Sequence, residues 1–174
     1  MLYLVSLGSN IQPEYHAGQA LELLLRRYRS MYLYPRVYTA AEKVESDHCF
    51  VNTLFWIRTD LSPVQLKAQL CAVEEQLGRD RSDPKRSVRD RSCDLDIVWY
   101  AQHYMEHWRA ELDESYLREV LRPGAPCAPI ELAGQLLAEG AATVYFQAEA
   151  GDKWVVDQEA NAFENWLESS LVGN

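Results

Sequence analysis

Two aspartates separated by one residue stand in the run Arg91-Ser92-Cys93-Asp94-Leu95-Asp96-Ile97. In an extended segment side chains alternate, so Asp94 and Asp96 share one face while Leu95 and Ile97 point into a core. Two carboxylates that close repel unless they are solvated or bridged by a cation. Magnesium fits, because it takes oxygen ligands, commonly one or two carboxylates plus substrate phosphates. Upstream, cations gather: Arg79, Arg81, Lys85, Arg86, Arg89 and Arg91 lie between Gly78 and Ser92, against Asp80, Asp83 and Asp90. Guanidinium forks match phosphate oxygens two at a time, and phosphoryl-type transfer is catalysed mostly by positioning and charge neutralisation. The plain alternative is an exposed acid pair that offsets nearby arginines beside a solvated charged loop.

These residues need a frame. Residues 2–7 read as a strand, and apolar positions between Tyr15 and Arg29 fall at helical spacing. Residues 31–39 are aromatic and β-branched, with Pro35 marking an edge or bulge. Phe50 to Thr59 reads as a strand with an apolar body. Ser62-Pro63-Val64-Gln65 starts a helix with a capping box; Leu66, Leu70, Val73 and Leu77 continue it, and Gly78 ends it. Residues 93–100 form the strand that carries the acid pair. Helices are expected around 113–121 and 129–137, a strand at 142–147, and a final helix at about 157–170 that gathers Phe163, Trp166 and Leu167. The leading order β-α-β-β-α-β predicts an α+β fold, a ferredoxin-like α/β sandwich with a mainly antiparallel sheet. With no repeat or linker, the expectation is a single domain over residues 1–174.

Composition narrows the function. The chain has 174 residues and a net charge of −9, which disfavours general nucleic-acid binding. The four cysteines, Cys49, Cys71, Cys93 and Cys127, are widely spaced, as reduced structural thiols would be. The apolar N-terminus is too short for a signal peptide or membrane span, so cytoplasm is the expected compartment, with no membrane partner and a monomeric state.

Four landmarks in order carry a resemblance: Leu7-Gly8-Ser9-Asn10, Phe50-Val51-Asn52, Glu74-x-x-x-Gly78-Arg79-x-Arg81, and Arg91-x-x-Asp94-Leu95-Asp96-Ile97. Over residues 1–100 the chain resembles the 6-hydroxymethyl-7,8-dihydropterin pyrophosphokinase family. The resemblance implies ATP and a reduced pterin as small-molecule substrates and two magnesium ions. It also implies attack by the pterin's hydroxymethyl oxygen on the β-phosphorus, releasing AMP in folate biosynthesis. By position it makes Asp94 and Asp96 the metal ligands. Arg79 and Arg91 would contact phosphates, Arg81 would close over the site, and Glu74, Arg109 and Arg118 would lie at the nucleotide. Asn52 would bond the pterin's amide-like edge, Phe50 would stack on its ring, and Asn10, Thr39 and Val44 would complete the pocket. The loops at 40–49 and 78–92 would close over ATP as a lid.

The chain departs from the family pattern in several places. Val88 stands near a customary tryptophan, and no histidine follows Arg109. Val120 would stand where the family has a phenylalanine over the pterin, and Glu114, if it points inward, would add negative charge near the nucleotide. A paralogue acting on another pterin, or a pterin/ATP-binding protein with little catalysis, are the alternatives. Two rivals come from other classes. His103-x-x-x-His107 has a zinc-like spacing on a helix, and exposed Trp108, Trp154 and Trp166 could serve a partner interface.

Overall fold

Apolar periodicity and local caps build the elements largely where the sequence predicts them. In this computed structural model residues 1–41, 46–80, 82, 84, 89–148 and 151–172 are described. β1 (Leu2–Ser9) leads into α1 (Pro13–Tyr28), β2 (Ser30–Leu33), β3 (Val37–Thr39), β4 (Phe50–Arg58), α2 (Pro63–Gln76) and β5 (Asp94–Ala101). A 3-10 helix (Glu106–Glu111) and α3 (Ser115–Val120) follow. The chain continues with β6 (Ile130–Leu132), β7 (Gln135–Leu137), β8 (Ala142–Gln147), β9 (Lys153–Asp157) and α4 (Ala162–Val172). α2 starts on the foreseen capping box: Gln65 N–H donates to Ser62 Oγ at 3.3 Å, and Ser62 N–H to the Gln65 side chain at 2.9 Å.

The main sheet runs β5-β1-β4-β2-β8-β9, with β3 also paired to β4, and its pairings are antiparallel. The fold is therefore α+β with an antiparallel sheet. The segment 31–39 forms two strands, β2 and β3, both against β4. Pro35, which has no N–H, falls at the break, and Thr53 Oγ1 donates to Tyr34 O there at 3.0 Å.

Alternation along the strands sorts the chain into two layers of core. Tyr3, Val5, Leu7, Val51, Phe55, Ile57 and Leu95 pack against Leu21, Leu24 and Leu25 of α1 and Leu66 and Leu70 of α2. The other face carries Leu2, Leu4, Leu54, Trp56 and Trp99, covered by Trp108, Leu117, Val120 and Trp166. Along β1 that second face continues as Ser6 and Gly8, past the end of its apolar cover. On β5 the pairing shifts between Leu4↔Trp99 and Val5↔Ile97. That bulge at Val98 lets Asp94, Asp96 and Trp99 all face the same way. One sheet face is thus aromatic core at one end and polar at the other.

Four expectations need correction. Residues 129–137 form the β6–β7 hairpin rather than a helix. Ala133 (φ 55°) and Gly134 (φ 73°) both adopt left-handed backbone at its tip, the geometry of a tight two-residue turn. The last helix begins at Ala162 instead of 157, because residues 153–157 pair with β8 as an edge strand. His103 precedes the 3-10 helix that holds His107, so the pair shares no helix face, and among the described residues no group of three or more metal-binding side chains occurs. Trp108 and Trp166 are buried at 0% and 1% exposure, and Trp154 packs on Phe146, which removes the proposed tryptophan interface.

The four cysteines are all free thiols, and burial pushes the Cys93 thiol well up. Among the described residues no helix is long and apolar enough to cross a membrane.

The hairpin rests on α1 through Gly18. A Cβ at Gly18 would lie 2.6 Å from the backbone oxygen of Glu131. Alanine ordinarily gains about 1 kcal/mol over glycine inside a helix, but overpacking against backbone costs ~1–3 kcal/mol. Gly18→Ala is therefore expected to lower the thermal midpoint by a few degrees. A raised midpoint in a thermal melt would show that the hairpin yields.

Candidate active site

The polar end of the second sheet face is assembled by strand register. Gly8 lies opposite Asn52 on β4 and Asp94 on β5, and Ser6 lies opposite Asp96. Directly opposed residues share a face, so Asn52, Gly8 and Asp94 form a row with Asp96 one step along. Gly8 leaves the row open: a Cβ there would come within 2.8 Å of Asn52 Oδ1 and 3.7 Å of the Phe50 ring.

On the β5 side, opposite charges alternate. Glu74, fully buried on α2, accepts the Leu95 N–H at 2.7 Å, and its other oxygen lies 3.7 Å from Arg79 Nε. Arg79 Nη1 reaches Asp94 Oδ1 at 2.7 Å and Cys93 O at 3.0 Å. Arg91 Nη1 holds the second oxygen of Asp94 at 2.5 Å. Asp96 is more open, with 59% of its side chain exposed, and takes Lys67 Nζ at 2.6 Å; that ammonium also donates to Leu95 O at 2.6 Å. Burial pushes the Glu74 carboxyl upward, while the Leu95 N–H and Arg79 pull it back.

On the β4 side, Asn52 is buried and donates from Nδ2 to Thr39 Oγ1 at 2.7 Å. Phe50 is 9% exposed at the head of β4. Beyond β1, Asn10 is 3% exposed. Its Nδ2 donates to Asp90 Oδ1 at 2.6 Å and to Ser46 Oγ at 3.3 Å, and its Oδ1 accepts the Arg91 N–H at 2.7 Å. Asp90 also meets His48 Nδ1 at 2.8 Å. Hydrogen bonds from Ser46, His48 and Asn10 hold the Asp90 carboxyl below its usual value against a smaller opposing effect of burial.

The structure thus brings together Glu74, Arg79, Arg91, Asp94 and Asp96, with Asn10 just past β1, Thr39 at the end of β3, and Phe50 and Asn52 on β4. Arg109 and Arg118 do not join them. The Arg109 guanidinium lies 5.2 Å from the Trp108 ring, at the aromatic end of the sheet face. It lines a separate groove of about 810 Å³ with Tyr32, Tyr34 and Cys127. Arg118 donates to the carbonyls of Leu112 (2.9 Å) and Asp113 (3.3 Å), and Val120 is packed into the core. Val44 and Arg81, expected at the pterin and phosphate sides, lie outside the described residues, as do 42–45, 83 and 85–88 of the two expected lid loops.

Sequence reasoning missed Lys67, His48 and Asp90, and gave Gly8 no role. Lys67 was findable, since it stands two helical turns before Glu74 and so faces the same strand. His48 and Asp90 lie in segments without periodicity, where only the folded chain brings them together.

The antiparallel α+β frame therefore carries a largely shielded chain of alternating charge, Glu74–Arg79–Asp94–Arg91, beside the exposed carboxylate of Asp96. The family model for 7,8-dihydro-6-hydroxymethylpterin-pyrophosphokinase matches residues 4–125. Two relatives, the 2-amino-4-hydroxy-6-hydroxymethyldihydropteridine pyrophosphokinases of Porphyromonas gingivalis strains ATCC 33277 and W83, are each 32% identical over 99 residues. The matched region spans 56% of this chain and 67% of each relative. The chain belongs to the 7,8-dihydro-6-hydroxymethylpterin-pyrophosphokinase family.

Proposed function

We propose that the chain transfers diphosphate from ATP to the hydroxymethyl group of 6-hydroxymethyl-7,8-dihydropterin, releasing AMP, as a magnesium-dependent step of folate synthesis. The observation that carries this reading is the single row Asn52–Gly8–Asp94, flanked by Asp96 and two arginines. A pterin edge that both donates and accepts suits the Asn52 carboxamide, while the arginines suit phosphate. The order β5-β1-β4-β2, with α1 and α2 on one face, supports a ferredoxin-like sandwich and one domain over the chain. The reading keeps the protein a cytoplasmic monomer acting on small molecules.

Hard oxygen donors at Asp94 and Asp96 fit magnesium, which completes its shell with phosphate and water. Asp96 offers the more accessible carboxylate, while both oxygens of Asp94 are engaged by arginine. Bound there, two magnesium ions would supply charge neutralisation on the transferring group. Arg79 and Arg91, held beside Asp94, present guanidinium groups where phosphate charge builds up. Phe50 and Asn52 fix the pterin on β4. The hydroxymethyl oxygen bonds to the β-phosphorus, the bond from that phosphorus to the α,β-bridging oxygen breaks, AMP leaves with that oxygen, and the hydroxyl proton is released.

One observation favours the alternative readings. Val120 lies in the core and Arg118 is bonded to main-chain carbonyls, so the chain offers no aromatic second wall at that position. A paralogue with another pterin substrate, or a pterin/ATP-binding protein with little turnover, would tolerate this loss. AMP release from ATP, measured with and without 6-hydroxymethyl-7,8-dihydropterin and with a chelator, tests the proposal. Release only with pterin and magnesium is the expected result. No AMP from folded protein would turn the assignment to the alternatives, which calorimetry with pterin and ATP analogues would separate.

A further inference from the structure

Two stretches far apart in sequence meet at one side chain just past the end of β1. Residues 46–49 run directly into Phe50 and Asn52 on β4, whereas residues 89–91 lead to Asp94 on β5. Asn10 touches both: Nδ2 reaches Ser46 Oγ and Asp90 Oδ1, Oδ1 takes the Arg91 N–H, and the Asn10 N–H donates to Arg91 O at 3.1 Å. With its main chain and carboxamide oxygen committed to Arg91, Asn10 has only Nδ2 left for the other stretch.

Asp90 closes the connection. One carboxylate oxygen takes Asn10 and the other meets His48 Nδ1, while the His48 N–H donates to Ser46 Oγ at 3.1 Å. A charged acceptor makes the stronger bond to a buried amide, and Asp90, itself in the second stretch, reaches both Asn10 and His48 of the first stretch by side chain.

We propose that Asp90 is a positioning residue: it clasps residues 46–49 and the Arg91 segment to Asn10, and so holds the pterin-side and phosphate-side walls in register. The proposal rests on the pyrophosphoryl-transfer reading of the site. Asp90 is not among the residues assigned to substrate above, and its effect passes through Asn10, the Arg91 backbone and the approach to Phe50. A clasp formed before substrate arrives spares the cost of ordering both walls during binding. Its loss therefore raises KM more than it lowers kcat.

The test compares the full chain with Asp90→Ala and Asp90→Asn. In Asp90→Ala, exchange of the Arg91 amide, followed by NMR, should be about tenfold faster relative to core amides of β1, the worth of roughly one charge-assisted hydrogen bond. The pterin KM should rise about tenfold, with kcat within about threefold. Asp90→Asn keeps an oxygen for Asn10 and should recover part of both effects. It carries the test if the alanine variant fails to fold. Unchanged Arg91 exchange and unchanged KM would overturn the proposal, as would a fall in kcat at constant KM. If the parent protein releases no AMP, the pyrophosphokinase reading fails by itself, and Arg91 exchange still decides whether the clasp exists.

Discussion

Alanine at Asp96 is expected to lower pterin-dependent AMP release by about 10²–10³-fold, the scale seen when one transition-state charge partner is removed, while leaving the fold intact. The asymmetry follows from where Asp96 sits. Its side chain is 59% exposed, and its partner Lys67 is 39% exposed, so the pair contributes about 0–1 kcal/mol to stability. Lys67 keeps its bond to Leu95 O when the carboxylate is gone. A shift of the thermal midpoint within roughly 2–4 °C is all that such a pair supports at this chain length. Residual turnover should also need more magnesium, because one of two hard oxygen donors has been deleted. Undiminished turnover would remove Asp96 from the metal site. A collapse of the midpoint with activity lost in proportion would make the residue structural instead.

Much of this frame was legible in the sequence because local physics and tertiary packing agree there. The Ser62–Gln65 box caps α2, Gly78 follows its end, and alternation around Asp94-Leu95-Asp96 survives into β5 unchanged. Legibility fails where a short apolar segment fits more than one period. Ile130 to Leu137 suits a helix by composition, yet the positive φ of Ala133 and Gly134 folds it into a hairpin whose stretch at Glu131 is fitted against Gly18. The bulge at Val98 was equally hidden. It costs no recognisable residue type, but it decides that the acid pair and Trp99 face the same way.

The site divides along the same line. Residues carried on regular elements, Glu74 on α2, Asn52 on β4, and Asp94 and Asp96 on β5, converge because strand register and helix phase bring them there. Arg109 and Arg118 belong to a 3-10 turn and a six-residue helix whose placement no periodicity fixes. Packing of Trp108 and Val120 against Trp56 and its neighbours carries both away from Asp94. Asp90 and His48 show the converse case, polar residues in unpatterned segments that meet each other, and Asp90 meets Asn10, only in the folded chain.

Glu74 connects stability to the geometry of the acid pair. Its buried carboxylate caps the Leu95 N–H, which lies between Asp94 and Asp96, and stands next to Arg79, which holds Asp94. Glu74→Ala deletes that acceptor and one counter-charge of a nearly buried guanidinium. Breaking such a pair from one side costs about 3–5 kcal/mol, equivalent to a fall of ~10 °C or more in the thermal midpoint. Glu74→Gln separates the two roles, since the amide oxygen can still accept from Leu95 but carries no charge. Burial raises the folded carboxyl above 4.5, so the folded chain binds that proton more tightly than the unfolded chain does. The contribution of Glu74 to stability is then fullest below 4.5 and declines as pH rises through its raised folded value. Glutamine has no such dependence. The midpoint difference between parent and Glu74→Gln should therefore shift in favour of the variant as pH climbs through that window, with carboxylates remote from Glu74 cancelling in the comparison. A difference that stays flat with pH would mean that the carboxyl titrates alike in the folded and unfolded chains, and that its role on β5 is hydrogen bonding alone.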